Sequence, residues 1–140
     1  MNILLPIDEN SKRAESAVNT LKSIPCTDEL YVFVLNVESD IEIFDGEGGT
    51  VSSESWFDPD KYPKSVRLAG DILEDADISY EIQREHGEPS EAILNFTEGR
   101  EIDWIFMAGR KRTPVGKVLF GSVTQSVLLN SDIPVTVVLD

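Results

Sequence analysis

Apolar residues gather in short runs separated by longer amphipathic stretches. Four runs read as strands: Ile3-Leu4-Leu5-Pro6-Ile7, ending at Asp8; Leu30 to Val37; Trp104 to Ala108; and Pro134 to Leu139. Each is nearly continuous rather than alternating, the pattern of strands covered on both faces and hence of a parallel sheet. The run Ile78-Ser79-Tyr80-Glu81-Ile82-Gln83 does alternate, which places it at an edge.

Helical periodicity fills the intervals. Asn10 or Ser11 can cap a helix carrying Ala14, Ala17, Val18 and Leu21 on one stripe. From about Pro63 to Ala76 the apolar positions are Val66, Ala69, Leu73 and Ala76. Glu88-Pro89-Ser90-Glu91 opens a third helix with Ala92, Ile93 and Phe96 facing inward, and Gly99 suits its C-terminal cap. A fourth runs from Ser122 to Asn130, with Val123, Val127 and Leu128 expected inside.

Strands and helices therefore alternate along residues 1–140, which predicts one α/β domain. Its architecture is a three-layer α/β/α sandwich around a five-stranded parallel sheet with right-handed crossovers. The acidic loop at about residues 38–60 exceeds an ordinary connection and reads as a flap or a disordered excursion. Trp56 and Phe57 lie in it and suggest docking, on the protein's own surface or as a ligand lid.

Composition narrows the partners. With 26 acidic and 12 basic residues, the formal net charge is -14. Nucleic acid and anionic membrane are disfavoured, since both need a basic footprint. Lysine is scarce and carboxylates are spread along the chain, a surface that a salt-rich cytoplasm would favour by screening. The single cysteine, Cys26, cannot form an internal disulfide and reads as a small packing residue. No signal peptide or bilayer-length apolar run is visible, so the expected compartment is the cytoplasm.

In an open parallel sheet, ligands bind beyond the carboxyl ends of the strands. Pro6-Ile7-Asp8, Val37-Glu38 and the loop from Ala108 to Ser122 lie at such ends. That loop sets Gly109, Gly116 and Gly121 around Arg110, Lys111, Arg112 and Lys117, a cationic island in an acidic chain. Gly121-Ser122 then opens a helix whose free N–H groups suit an anion. Gly116-Lys117 lacks the glycine and hydroxyl residue of a P-loop, and no GxGxxG follows the first strand.

Five segments, in order and spacing, resemble the universal stress protein family. They are Ile3–Asp8, Gly87-Glu88-Pro89-Ser90-Glu91-Ala92-Ile93, Asp103-Trp104-Ile105-Phe106-Met107-Ala108, Gly121-Ser122-Val123-Thr124 and Ile133-Pro134-Val135-Thr136-Val137-Val138. The resemblance spans nearly the whole chain and implies an adenine-nucleotide alpha-hydrolase-like fold. The family's nucleotide-binding branch carries G-x2-G-x9-G-[ST]. Here those positions read Ala108-x2-Lys111-x9-Gly121-Ser122, so the spacing is kept and the first two glycines are replaced. Lys111 would either block the site or place an ammonium on a phosphate oxygen.

The resemblance implies ATP or a related adenine nucleotide, with Mg²⁺ accompanying ATP. Asp8 would accept from ribose or the adenine edge; its alternative reading is a helix cap or strand-end turn. Pro6 and Val37 would line the base, Met107 and Ala108 would flank the ribose, and Ile7 belongs to the same nucleotide-binding set. Gly109, Arg110, Lys111, Arg112, Gly121, Ser122, Val123 and Thr124 would surround the phosphates. The last strand, Val135, Thr136, Val137, Val138 and Leu139, is apolar and at a sheet edge, so a homodimer through it is expected.

Catalytic residues are not legible. His86 is the only histidine, and Asp71, Glu74, Asp75 and Asp77 read as a solvated face. The open functions are a nucleotide-binding regulatory module, a nucleotide-independent stress protein acting through protein partners, and a slow ATPase switch.

Overall fold

A computed structural model describes residues 1–39, 62–110 and 120–139. The elements follow in the order β1 (Asn2–Pro6), α1 (Ser11–Lys22), a short 3-10 turn (Thr27–Glu29), β2 (Tyr31–Glu38), α2 (Lys64–Asp75), β3 (Ser79–His86), α3 (Pro89–Thr97), β4 (Trp104–Gly109), α4 (Ser122–Asn130) and β5 (Val135–Leu139). All neighbouring strands are parallel, in the order β3-β2-β1-β4-β5. The α/β expectation therefore holds, and the alternating segment is an edge strand. Between β1 and β4 the chain order reverses, so their carboxyl ends flank the crevice where sheets of this kind take ligands.

Successive residues of the central strands feed opposite layers. Ile3, Leu5, Ile7 and Phe106 pack under α1 and α2 with Ala14, Val18, Leu21, Val66 and Leu73. Leu4, Leu35, Ile105 and Met107 face the other way, onto Ile93, Phe96 and Val127 of α3 and α4. Burial on both faces explains why these strands read as unbroken apolar runs.

Local chemistry fixes the helix starts. The Asn10 side chain accepts from Arg13 N–H at 2.9 Å and caps α1. Glu88 caps α3, accepting from the N–H groups of Ser90 and Glu91 at 3.2 and 2.9 Å. Those bonds, with the Ser90 hydroxyl first, hold the Glu88 carboxyl below its usual range. Pro89 takes the first helical position, and Gly99 follows α3 with a φ of +73°.

The edge strand β3 is longer than expected, pairing with β2 from Tyr31↔Ser79 to Glu38↔His86. Its polar end is sustained by Arg84, whose side chain is only 3% exposed. Arg84 meets Glu38 at 2.8 Å and lies over the Tyr62 ring at 4.8 Å.

Two side chains differ from expectation. Leu128 is 37% exposed, because Val127 takes the inward position and the next residue turns about 100° away around the helix. Cys26 is exposed rather than packed, in a left-handed turn with a φ of 62° that leads into the 3-10 segment. The expectations for residues 40–60, including Trp56 and Phe57, lie outside the described residues, as do those for Lys111, Arg112, Gly116 and Lys117. Among the described residues, no helix is long and apolar enough to cross a membrane.

Candidate functional site

Beyond the carboxyl ends of β1, β2 and β4 the surface sinks into an apolar slot of about 170 Å³. Pro6, Leu35, Val37 and Met107 come from the strands, Ile7 follows β1, Ala14 comes from α1, Pro89 and Ile93 from α3, and Val123 and Thr124 from α4. Leu35, Ala14, Pro89 and Ile93 were read from the sequence as core or helix-start residues. Each is an apolar side chain, which the sequence pattern does not separate from core.

A polar compartment of about 540 Å³ adjoins the slot and shares Asp8, Arg13, Ala108, Val123 and Thr124 with it. Its remaining walls are Gly109, Arg110, Phe120, Gly121, Ser122 and Gln125. That volume lies within the range of about 300–1,000 Å³ usual for small-molecule sites. All of the candidate residues with described positions thus converge: Pro6, Ile7, Asp8, Val37, Met107, Ala108, Gly109, Arg110, Gly121, Ser122, Val123 and Thr124.

Asp8 sits where slot and compartment meet. Its Oδ1 accepts from Asn10 N–H at 2.9 Å. Its Oδ2 accepts from Nε and Nη2 of Arg13 at 3.1 and 2.6 Å. The Ser65 hydroxyl, fully buried in α2, donates to the Asp8 carbonyl at 2.5 Å. Asp8 is therefore the strand-end turn residue, yet its side chain remains 56% exposed and keeps acceptor capacity toward the cavity. Arg13 and Ser65 carried no signal in the sequence, because each reads as an ordinary polar position on a helix.

Besides the start of α1, which Asn10 caps, two helix N-termini border this cavity and differ in kind. The start of α3 is filled by the Glu88 carboxylate, which already takes its free N–H groups. The start of α4 has Gly121 at its cap and no side-chain acceptor. Its first N–H groups, without an acceptor among the described residues, face the polar compartment with the positive end of the helix dipole. Thr124, in the first turn of α4, is 5% exposed, and its hydroxyl makes no protein hydrogen bond among the described residues. The start of α4 thus offers donors to an anion, whereas the start of α3 offers a carboxylate.

A family model described as "Universal stress protein family" matches residues 1–138. The chain belongs to the universal stress protein family. Solved structures agree with that fold. A universal stress protein from Archaeoglobus fulgidus is 24% identical with a TM-score of 0.73, over 99% of this chain and 98% of that one. The hypothetical protein MJ0577 is 27% identical with a TM-score of 0.78, over 99% and 95%. The universal stress protein from Archaeoglobus fulgidus in complex with dAMP is 20% identical with a TM-score of 0.68, over 99% and 97%. A search of curated proteins found no match.

Proposed function

We propose that this universal stress protein is a regulatory module that binds ATP or a related adenine nucleotide at the carboxyl ends of β1 and β4. The observation that carries this reading is the junction at Asp8. An apolar slot fit for a base opens there into a polar compartment that ends at an uncapped helix N-terminus. Solved structures of this fold with dAMP, cAMP and AMP bound support the ligand class.

The residues fit such a group. Pro6 and Val37 flank the base, Met107 and Ala108 flank the ribose, and the exposed face of Asp8 accepts from ribose hydroxyls. The N–H groups of Ser122, Val123 and Thr124, with the Thr124 hydroxyl, donate to phosphate oxygens. Ala108 in place of glycine is tolerated because its methyl stands on a strand, half-buried and without positive φ. Lys111 lies outside the described residues, and Mg²⁺ would accompany ATP.

Two copies pair through the free edge of β5, where Val135 to Val138 are only half-buried and Leu139 is 39% exposed. The protein works in the cytoplasm, where nucleotides are available. Titration calorimetry with ATP and Mg²⁺, at low and high KCl, tests the nucleotide site. Saturable binding that Asp8→Ala weakens at least tenfold is the expected result, and no heat with ATP, ADP or AMP in either salt overturns it.

A further inference from the structure

We propose that Arg13 reads the phosphate, so that the site takes adenosine 5′-phosphates and discriminates against free adenosine. This rests on the nucleotide reading above and extends it to a residue outside the family's glycine-loop pattern. Arg13 stands in the first turn of α1, which contains no acidic residue. A cation there opposes the helix dipole, and burying its side chain to 13% exposure costs solvation as well.

The Asp8 carboxylate compensates through the contacts of 3.1 and 2.6 Å, but both end on a single oxygen, Oδ2. The Nη1 donors of Arg13 find no protein acceptor among the described residues. Arg13 also borders both the apolar slot and the polar compartment. A nucleoside lying in the slot with its ribose at Asp8 directs its 5′ substituent toward the α4 N-terminus. The guanidinium then bridges carboxylate and phosphate, a role its planar fork of donors fits and an ammonium fits less well.

Were Arg13 only a clamp between β1 and α1, its loss would weaken every ligand alike. Calorimetry with adenosine, AMP and ATP on the wild type, Arg13→Gln and Arg13→Lys separates the two roles, with thermal melts reporting the fold. The expected result is a wild-type preference for AMP over adenosine of at least tenfold. Arg13→Gln abolishes that preference, AMP affinity falling at least tenfold further than adenosine affinity, and Arg13→Lys restores part of it. The proposal is overturned if Arg13→Gln keeps the AMP preference, or weakens adenosine as much as AMP; in both cases the nucleotide site itself stands. A wild type that binds none of the ligands overturns the nucleotide reading, and this proposal with it.

Discussion

A Cβ placed on Gly109 would stand 2.8 Å from Cγ1 of Val137, closer than packed carbons tolerate. The same position is 3.3 Å from Leu139 and 3.5 Å from Thr124. The last residue of β4 must therefore be glycine for β5 and the first turn of α4 to close over it. Gly109→Ala is expected to destabilise the protein by about 1–3 kcal/mol, the usual cost of overpacking. Urea unfolding checks this; a midpoint equal to that of the wild type would show that β5 moves freely.

Gly121 presents the opposite case. Among the described residues, no heavy atom lies within 4 Å of its would-be Cβ, and its φ of -60° is ordinary. Nothing in the fold demands glycine there, and the open space faces the polar compartment. Gly121→Ala should leave stability within about 0.5 kcal/mol of the wild type. ATP affinity should fall at least tenfold, because the methyl occupies the approach to the α4 N–H groups. Unchanged affinity in calorimetry would remove the phosphates from this position.

Thr124 offers a cleaner separation of fold from function. Its buried hydroxyl lacks a protein partner among the described residues, whereas its methyl packs near Gly109. Thr124→Val preserves the shape and removes only the polar atom. Stability should be unchanged or higher by up to about 1 kcal/mol, since an unpaired buried hydroxyl is a cost. Nucleotide affinity should fall. A variant that loses stability and keeps its affinity would assign the hydroxyl to the fold instead.

Those positions show what the sequence could and could not disclose. The double-sided burial of Leu4, Leu5, Val32 and Ile105 leaves an unbroken apolar signature, so the sheet and its parallel sense were legible. Asp8, Gly121 and Ser122 were legible because strand ends and helix starts use few residue types. Arg13 and Ser65 were not, since their importance lies in contacts to Asp8 across 5 and 57 residues of chain. Leu128 misled because an apolar residue beside Val127 looks inward until the helix rotation is fixed by packing. Cys26 misled because its left-handed turn is a backbone property that composition does not carry.

Acid should loosen α3 in a defined direction. The Ser90 hydroxyl and the Glu91 N–H hold the Glu88 carboxyl below its ordinary value of 4.5. A depressed carboxyl stabilises the fold above its unfolded value, and that contribution is lost as pH falls through the lower folded value. Glu88→Gln should therefore be less stable than the wild type at neutral pH, with the difference shrinking below the ordinary value of 4.5. Urea midpoints across that range decide it, and a difference independent of pH would mean that the charge of Glu88 is not what holds the cap.

The β5 edge makes the last prediction. Ile105 N–H donates to the Pro134 carbonyl at 2.9 Å, so the backbone at 134, 136 and 138 turns toward β4. By the alternation of a strand, the N–H and C=O groups of Val135, Val137 and Leu139 point away from the sheet. An apolar edge with unpaired backbone groups favours pairing with another strand, and a second β5 supplies an identical one. Val137→Pro removes one outward N–H and leaves the ladder to β4 in place, because proline is tolerated where no ladder bond is donated. Light scattering should then find dimers for the wild type and folded monomers for Val137→Pro. Dimers that survive the proline, or a wild type that is monomeric at every concentration, would remove the β5 edge from the assembly.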